Sequence, residues 1–258
     1  MSYLLFNSNL WLFPIVMIVV LWLAMELPAL WGKGLVSKRT VPDSAWNVIQ
    51  GGVLTLVAFM LGISFSQSQA RFDARRELVV TEANSIGTTW LRADQLPKSE
   101  AQQFRVLLTD YTAARLHLYQ GRLTSEQLNQ SLAKSDSDQA KLWDTASNML
   151  RRQPQNLGRS LLMDTLNNTI DVSAEQRNAL THHVPVAIDV LTLLLVVLGG
   201  ILIGFGFARA GTTVPLLGGA YLIASVMVLT MMIDLDRPQK GLVRVNLDPL
   251  VAQLQSMR

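Results

Sequence analysis

The sequence predicts an all-α membrane protein: four transmembrane helices with an all-helical cytosolic domain inserted between spans two and three. Three observations carry that reading. First, half of the 258 residues are hydrophobic. They gather into four runs long enough to cross a bilayer, and the mean hydropathy is +0.28. Second, the stretch between the second and third runs is polar, follows a helical period and carries no strand signal. Third, Leu54–Gln95 begins as a membrane span, LTLVAFMLGISF, and runs without a proline into the charged stretch SQSQARFDARRELVVTEANSIGTTWLRADQ. Only Gly62 and Gly87 lower its helical propensity, each by ~1 kcal/mol. One helix is expected to start in lipid and end in water.

Composition excludes several classes. There is no cysteine, so disulfides and thiolate chemistry are ruled out. The net charge of +3 is small, and the pI near 9.4 reflects lysines and arginines flanking the spans. No basic stripe alternates with aromatics, so a nucleic-acid partner is not expected.

Taken in order, residues 10–31 form span one. The first basic residue is Lys33, beyond the apolar run. A cleaved leader would begin with a basic segment, so this span is expected to be retained. Trp11 and Trp31 are spaced by roughly 30 Å on a helix, which suits an aromatic anchor at each interface. Glu26 is either an interfacial or paired carboxylate or an intramembrane site. A loop follows with Lys33, Lys38, Arg39 and Pro42, and Asp43 or Ser44 can cap span two, 46–66. The cytosolic domain is expected over 67–185, with 67–95 continuous with span two and Pro97 ending that helix. Helices follow at 99–119, at 124–152 with Thr124 and Gln127 as a capping box, and at 155–171 and 173–183. Arg105, Arg115, Arg122, Arg151 and Arg152 read as solvated faces. Spans three and four fill 186–207 and 213–234, joined by Arg209-Ala210-Gly211. Gly200, Gly204, Gly218 and Gly219 read as packing glycines, because small residues let membrane helices approach closely. Residues 235–258 form a cytosolic tail.

Four spans put the amino terminus, the inserted domain and the tail on one side. The flanks there carry Arg71, Arg75, Arg76, Arg177, Arg237, Lys240 and Arg244; the other side has Lys33, Lys38, Arg39 and Arg209. The positive-inside rule places the inserted domain in the cytoplasm.

Enzyme motifs are missing. GxSxG, Walker, HExxH and CxxC patterns do not occur, and neither enzyme activity nor a cofactor is expected. His182 and His183 are adjacent and point about 100° apart on a helix, so with only His117 besides they make a poor metal site. Asp234 and Asp236 are weak candidates for a divalent cation; pairing with Arg237 or Arg71 is the plainer reading. Span two offers more. Thr55, Phe59 and Ile63 recur every four residues beside Gly62, followed by Ser64, Ser66, Gln67, Ser68 and Gln69. An apolar constriction followed by hydroxyls and amides suits weakly held, partly dehydrated ions. Arg71, Arg75 and Arg76 would concentrate anions at the inner mouth, unless Asp73, Glu77 and Glu82 neutralise them. Periodicity alone leaves ordinary helix packing open for the same face.

Two stretches resemble a family. Phe59-Met-Leu-Gly62-Ile63, with Arg71-Phe-Asp-Ala-Arg75-Arg76-Glu77 through Glu82-Ala-Asn84-Ser-Ile-Gly87-Thr, is similar to the signature of the bestrophin-like domain family of bacterial membrane proteins. Asp234-Leu-Asp236-Arg237-Pro238 through Gly241-Leu-Val-Arg244-Val resembles the same family's C-terminal motif. Bestrophins proper carry an aromatic-aliphatic neck with an arginine eight residues beyond it, a spacing that Ile63 and Arg71 reproduce. The resemblance implies a homopentameric anion channel in the bacterial cytoplasmic (inner) membrane. Thr55, Phe59 and Ile63 would form the neck, Ser66 and Gln67 would line the pore below it, and chloride or other small anions would permeate. Thr55 is polar where a larger apolar residue is usual, and the acidic calcium clasp of animal bestrophins has no counterpart beyond Asp234 and Asp236. The alternative is a non-conducting membrane scaffold or sensor whose cytosolic helices bind a protein partner. A third class, an intramembrane enzyme or proton-coupled transporter, would depend on Glu26, Asp189 or Asp234.

Overall fold

The computed structural model describes residues 12–32, 42–120, 125–181, 185–211, 215–236 and 241–258, and among them no strand occurs. Among the described residues there are eight α-helices: α1 (Leu12–Trp31), α2 (Asp43–Arg92), α3 (Lys98–Gln120), α4 (Ser125–Arg152), α5 (Leu157–Thr181), α6 (Val186–Ala210), α7 (Pro215–Leu235) and α8 (Asp248–Ser256). By contacts the chain divides into two units. One comprises Met1–Arg71 with His183–Arg237, the other Phe72–His182 with Pro238–Arg258.

The first unit is apolar and contains the four helices long and apolar enough to cross a membrane: α1, the first part of α2, α6 and α7. Their shared core is Met17, Leu21, Val57, Val196, Val226, Leu229 and Met232. Helix α1 packs against α6 and α7, and glycines set how closely. A Cβ on Gly204 would overlap the Met25 carbonyl, and one on Gly200 would sit 3.5 Å from the Ala24 Cβ. With no hydrophobic drive between helices in lipid, such close backbone packing is what holds spans together. Helix α6 stops at Gly211, whose φ of 71° lets its N–H reach back to the Phe207 carbonyl. The left-handed conformation favours glycine there.

Helix α2 is 50 residues long, about 75 Å at 1.5 Å per residue. It starts at Asp43, three residues before the sequence boundary, because the Pro42 carbonyl already accepts the Trp46 N–H at 3.0 Å. At its far end a short 3₁₀ turn, Ala93–Gln95, leads to Leu96 in an extended conformation, as the residue before a proline requires.

The second unit is the polar one. The remainder of α2, with α3, α4, α5 and α8, encloses a core that includes Val79, Ile86, Phe104, Leu108, Leu142, Leu162 and Leu166. Two expectations need correction. The stretch expected as two helices, 155–171 and 173–183, is the single helix α5. No glycine or proline interrupts it beyond Gly158, and the hydroxyls of Thr165 and Thr169 are satisfied by carbonyls one turn back, at 3.2 and 2.9 Å. The tail is more than an extension: α8 inserts Leu250 and Leu254 into this core. Pro249 opens α8, a position where its missing N–H costs nothing.

Candidate functional site

Of the four apolar helices, α2 is the least covered by its own chain. Only 11% of its most apolar window is buried, against 22%, 22% and 28% for α1, α6 and α7. Within the apolar unit its two sides differ. Val57, Ser64 and Ser68 are buried, and the Ser64 hydroxyl meets the Thr192 hydroxyl of α6 at 2.8 Å. Thr55, Phe59, Gly62 and Ser66 are exposed. They recur at intervals of three and four residues, which makes them one face of a helix. Phe59 is 62% exposed. A Cβ at Gly62 would meet nothing within 4 Å. The Thr55 hydroxyl turns back to the Gly51 carbonyl at 2.8 Å, so its methyl is the part presented outward.

The other residues proposed for this face sit at its margin. Ile63 and Gln67 are half-buried, as is Arg71. Ser64 and Ser68, read from the sequence as part of the polar run, belong to the buried side. The arginine cluster separates as well. In the polar unit Arg76 is exposed, whereas Arg75 is 4% exposed and its Nε donates to the Ala179 carbonyl of α5 at 3.0 Å. Asp73 and Glu77 are exposed. Asp234 and Asp236 are buried, at 2% and 3% exposure, and among the described residues no three His, Cys, Asp or Glu side chains gather as a metal site. Trp11, His182, His183, Lys33, Lys38, Arg39, Arg122, Arg237 and Lys240 lie outside the described residues.

A second polar assembly fills the interior of the polar unit. Arg115, expected on a solvated face, is fully buried, and so is Glu82. Their Nε–Oε1 distance is 2.5 Å. The Arg115 Nη2 also donates to the Tyr119 hydroxyl and, at 2.9 Å, to Gln176 Oε1, which the Tyr119 hydroxyl reaches too. Burial, the largest single influence, would by itself lower the Arg115 pKa; the Glu82 carboxylate together with Tyr119 and Tyr111 outweighs it, and the net shift is upward. Burial pushes the Tyr111 hydroxyl up to about 12, against the opposing pull of Arg115. The clue was in the spacing: Tyr111, Arg115 and Tyr119 are four residues apart, so the arginine sits on the helix face that carries the aromatics. Arg105 is half-buried rather than solvated: it bonds Asp94 at 2.6 Å and lies 4.7 Å over the Trp90 ring. Arg151 and Arg152 are exposed, as expected.

Four membrane-length helices in one unit, joined through a 50-residue helix to a polar helical unit, define a multi-span α-helical membrane protein. The sequence matches the family model described as the Bestrophin-like domain over residues 20–250, and the chain belongs to that family. Solved structures agree on the fold. A variant of a bacterial bestrophin homolog from Klebsiella pneumoniae has a TM-score of 0.67 at 17% identity, covering 97% of this chain and 96% of that one. Another structure of a bacterial bestrophin homolog from that organism gives 0.65 at 16%, covering 96% of each chain. A third, described as a membrane protein, gives 0.68 at 16%, covering 97% and 96%. No curated protein matches the sequence.

Proposed function

We propose that the protein is one subunit of a homo-oligomeric ion channel, a pentamer, that passes chloride or other small anions along a pore lined by α2. The observation that carries this is the exposed face Thr55, Phe59, Gly62 and Ser66 on the least covered of the apolar helices, in a chain of the bestrophin-like domain family. Four spans are too few to enclose a pore, so the axis has to lie between subunits. Phe59, with Ile63 beside it, forms a constriction that gates by dewetting, and Ser66 and Gln67 offer neutral donors to an ion that has shed part of its water. Of the three arginines, Arg71 and Arg76 attract anions; Arg75 is spent on the Ala179 carbonyl. The polar unit and both termini are cytoplasmic and the apolar unit spans the bacterial inner membrane, in keeping with the excess of flanking lysines and arginines on that side.

The test is recording from purified protein in a planar bilayer under a chloride gradient. A reversal potential near the chloride equilibrium value is expected. A reversal potential at the cation value would overturn the selectivity. Silence across voltage, pH and calcium would overturn conduction and leave a scaffold whose helices bind a protein partner.

A further inference from the structure

At one end of the apolar unit, the start of α2, the end of α6 and the start of α7 line a groove of about 460 Å³. All three are helices long and apolar enough to cross a membrane, so their charged ends stand where the bilayer gives way to water. The lining changes character along the groove. At the helix ends the Arg209 Nη2 donates to the Asp43 Oδ1 at 2.6 Å, and the guanidinium lies 5.2 Å over the Trp46 ring. The Trp46 Nε1 donates in turn to the Gln50 Oε1 at 2.8 Å. Further along, the walls include Leu54, Ile203 and Phe207. Eleven residues separate Asp43 from Leu54, about 16 Å along a helix, close to the roughly 15 Å that one leaflet adds to the hydrocarbon core. Gln50 precedes Phe59 by nine residues, about two and a half turns. The groove is therefore on the opposite side of α2 from the face assigned to the pore.

We propose that this groove binds one phospholipid of the surrounding bilayer, an acyl chain lying along Leu54, Ile203 and Phe207 and a phosphoethanolamine headgroup meeting Asp43 and Arg209. The gradient from charged to apolar is that of an amphiphile, with a tryptophan at the level where membrane proteins favour one. Charge selects the headgroup. Asp43 and Arg209 neutralise each other, so the mouth carries both signs and no net charge. The Asp43 side chain is 65% exposed, and a carboxylate has acceptor sites beyond the one that Arg209 takes. It can accept from the lipid ammonium. The lipid phosphate then falls beside Arg209, whose guanidinium suits phosphate. That side chain is only 4% exposed, held against Trp46, so the pair is a fixed feature of the groove. A glycerol headgroup brings the phosphate charge without the ammonium and leaves Asp43 facing an anion. The site requires only that the protein sits in a bilayer and does not depend on conduction.

The test is native mass spectrometry of the detergent-purified full chain, delipidated and titrated with dioleoyl phosphatidylethanolamine or dioleoyl phosphatidylglycerol. Wild type should hold one phosphatidylethanolamine per subunit about tenfold more tightly than phosphatidylglycerol, the worth of one hydrogen bond to a charged group. Gly206→Leu should weaken phosphatidylethanolamine by a similar factor. A Cβ there would lie 3.5 Å from Gln50 Nε2 and 3.9 Å from Trp46 Nε1, ordinary contacts that the backbone accepts, and the rest of the side chain fills the groove. Asp43→Asn should reverse the preference, because Arg209 then lacks its counter-charge. Unchanged phosphatidylethanolamine binding in Gly206→Leu would overturn the site. Equal affinity of wild type for the two lipids would overturn the headgroup match. A structure of the assembly with side chains of a second copy filling the groove would overturn the proposal as well. The wild-type comparison decides even where a variant fails to fold.

Discussion

Replacing Glu82 with leucine isolates the charge that Glu82 compensates. The Arg115 side chain is 1% exposed and that of Glu82 0%, with 2.5 Å between Nε and Oε1. In the variant the guanidinium stays charged in the buried interior, keeping its bonds to Tyr119 and Gln176 but losing its counter-ion. Breaking one side of a buried pair costs about 3–5 kcal/mol. For a unit of this size, roughly 2–6 °C of melting temperature corresponds to each kcal/mol, so a fall on the order of 10–20 °C is expected. The expected order among variants is more telling than that figure. Glu82→Leu and Arg115→Leu should each be severe, while the double variant should recover much of the loss, because replacing both partners by apolar groups of similar volume is often nearly neutral.

The assay is thermal unfolding of the detergent-solubilised protein, followed by circular dichroism, across wild type, both single variants and the double variant. The coupling energy of that cycle is the quantity of interest. Losses in the double variant equal to the sum of the singles would refute the reasoning, since the two side chains would then act independently. A melting point for Glu82→Leu within 2 °C or so of wild type would refute it as well, given the ~3 kcal/mol minimum.

Three further expectations test other parts of the molecule. Phe59→Ala and Ile63→Ala should each raise anion flux into liposomes by widening and wetting the constriction; flux unchanged in both would remove these residues from the pore. Gly204→Ala forces a methyl onto the Met25 carbonyl and should cost ~1–3 kcal/mol or more, seen as a lower melting point, whereas Gly62→Ala, with open space around it, should raise the melting point, by the ~1 kcal/mol that a helical glycine costs, and reduce conductance. Stability should also fall as pH rises from about 10 to about 12. Tyr111 is neutral in both states below its ordinary pKa of 10 and ionises first in the unfolded chain, because burial holds the folded value near 12. The slope is up to ~1.4 kcal/mol per pH unit from this group; Tyr111→Phe should flatten it, and equal slopes in the two proteins would contradict the assignment.

How much of this was legible beforehand divides along the two units. The spans were readable because twenty-odd apolar residues have little alternative use, and Gly200 and Gly204 were readable as packing glycines because of their four-residue spacing; Gly219, expected to pack as well, has open space around it. The polar unit was harder. Its helices are short of apolar residues, so a polar residue on an inward face looks like a solvated one. Arg115 was misread for that reason: an arginine is normally exposed, and its partner Glu82 lies 33 residues away, where no local rule finds it. The break expected at residue 172 does not occur, since Asp171-Val172-Ser173 contains no glycine or proline to end a helix. The docking of α8 was missed because Leu250 and Leu254 are too few to show a period in a short tail.

The same contrast explains how one helix serves two ends. In α2 the buried side is unusually polar: Ser64, Ser68, Arg75, Glu82, Ser85 and Thr89 are all buried. Several of them pair with another helix: Ser64 with Thr192, Arg75 with the Ala179 carbonyl, Glu82 with Arg115, and Ser85 and Thr89 with Thr169; Thr89 also bonds the Ser85 carbonyl of α2 itself. Hydrogen bonds of this kind fix register, because each donor has one acceptor at the right height, while apolar contacts tolerate sliding. With its orientation set from behind, the helix can leave Thr55, Phe59, Gly62 and Ser66 uncovered without relying on that face for its fold. Arg75 and Arg76 show the division at single-residue resolution. They are neighbours about 100° apart on the helix, and the first is buried against α5 while the second is exposed. A run of arginines that reads as one electrostatic feature in the sequence is thus split by the helix into a buried residue and an exposed one.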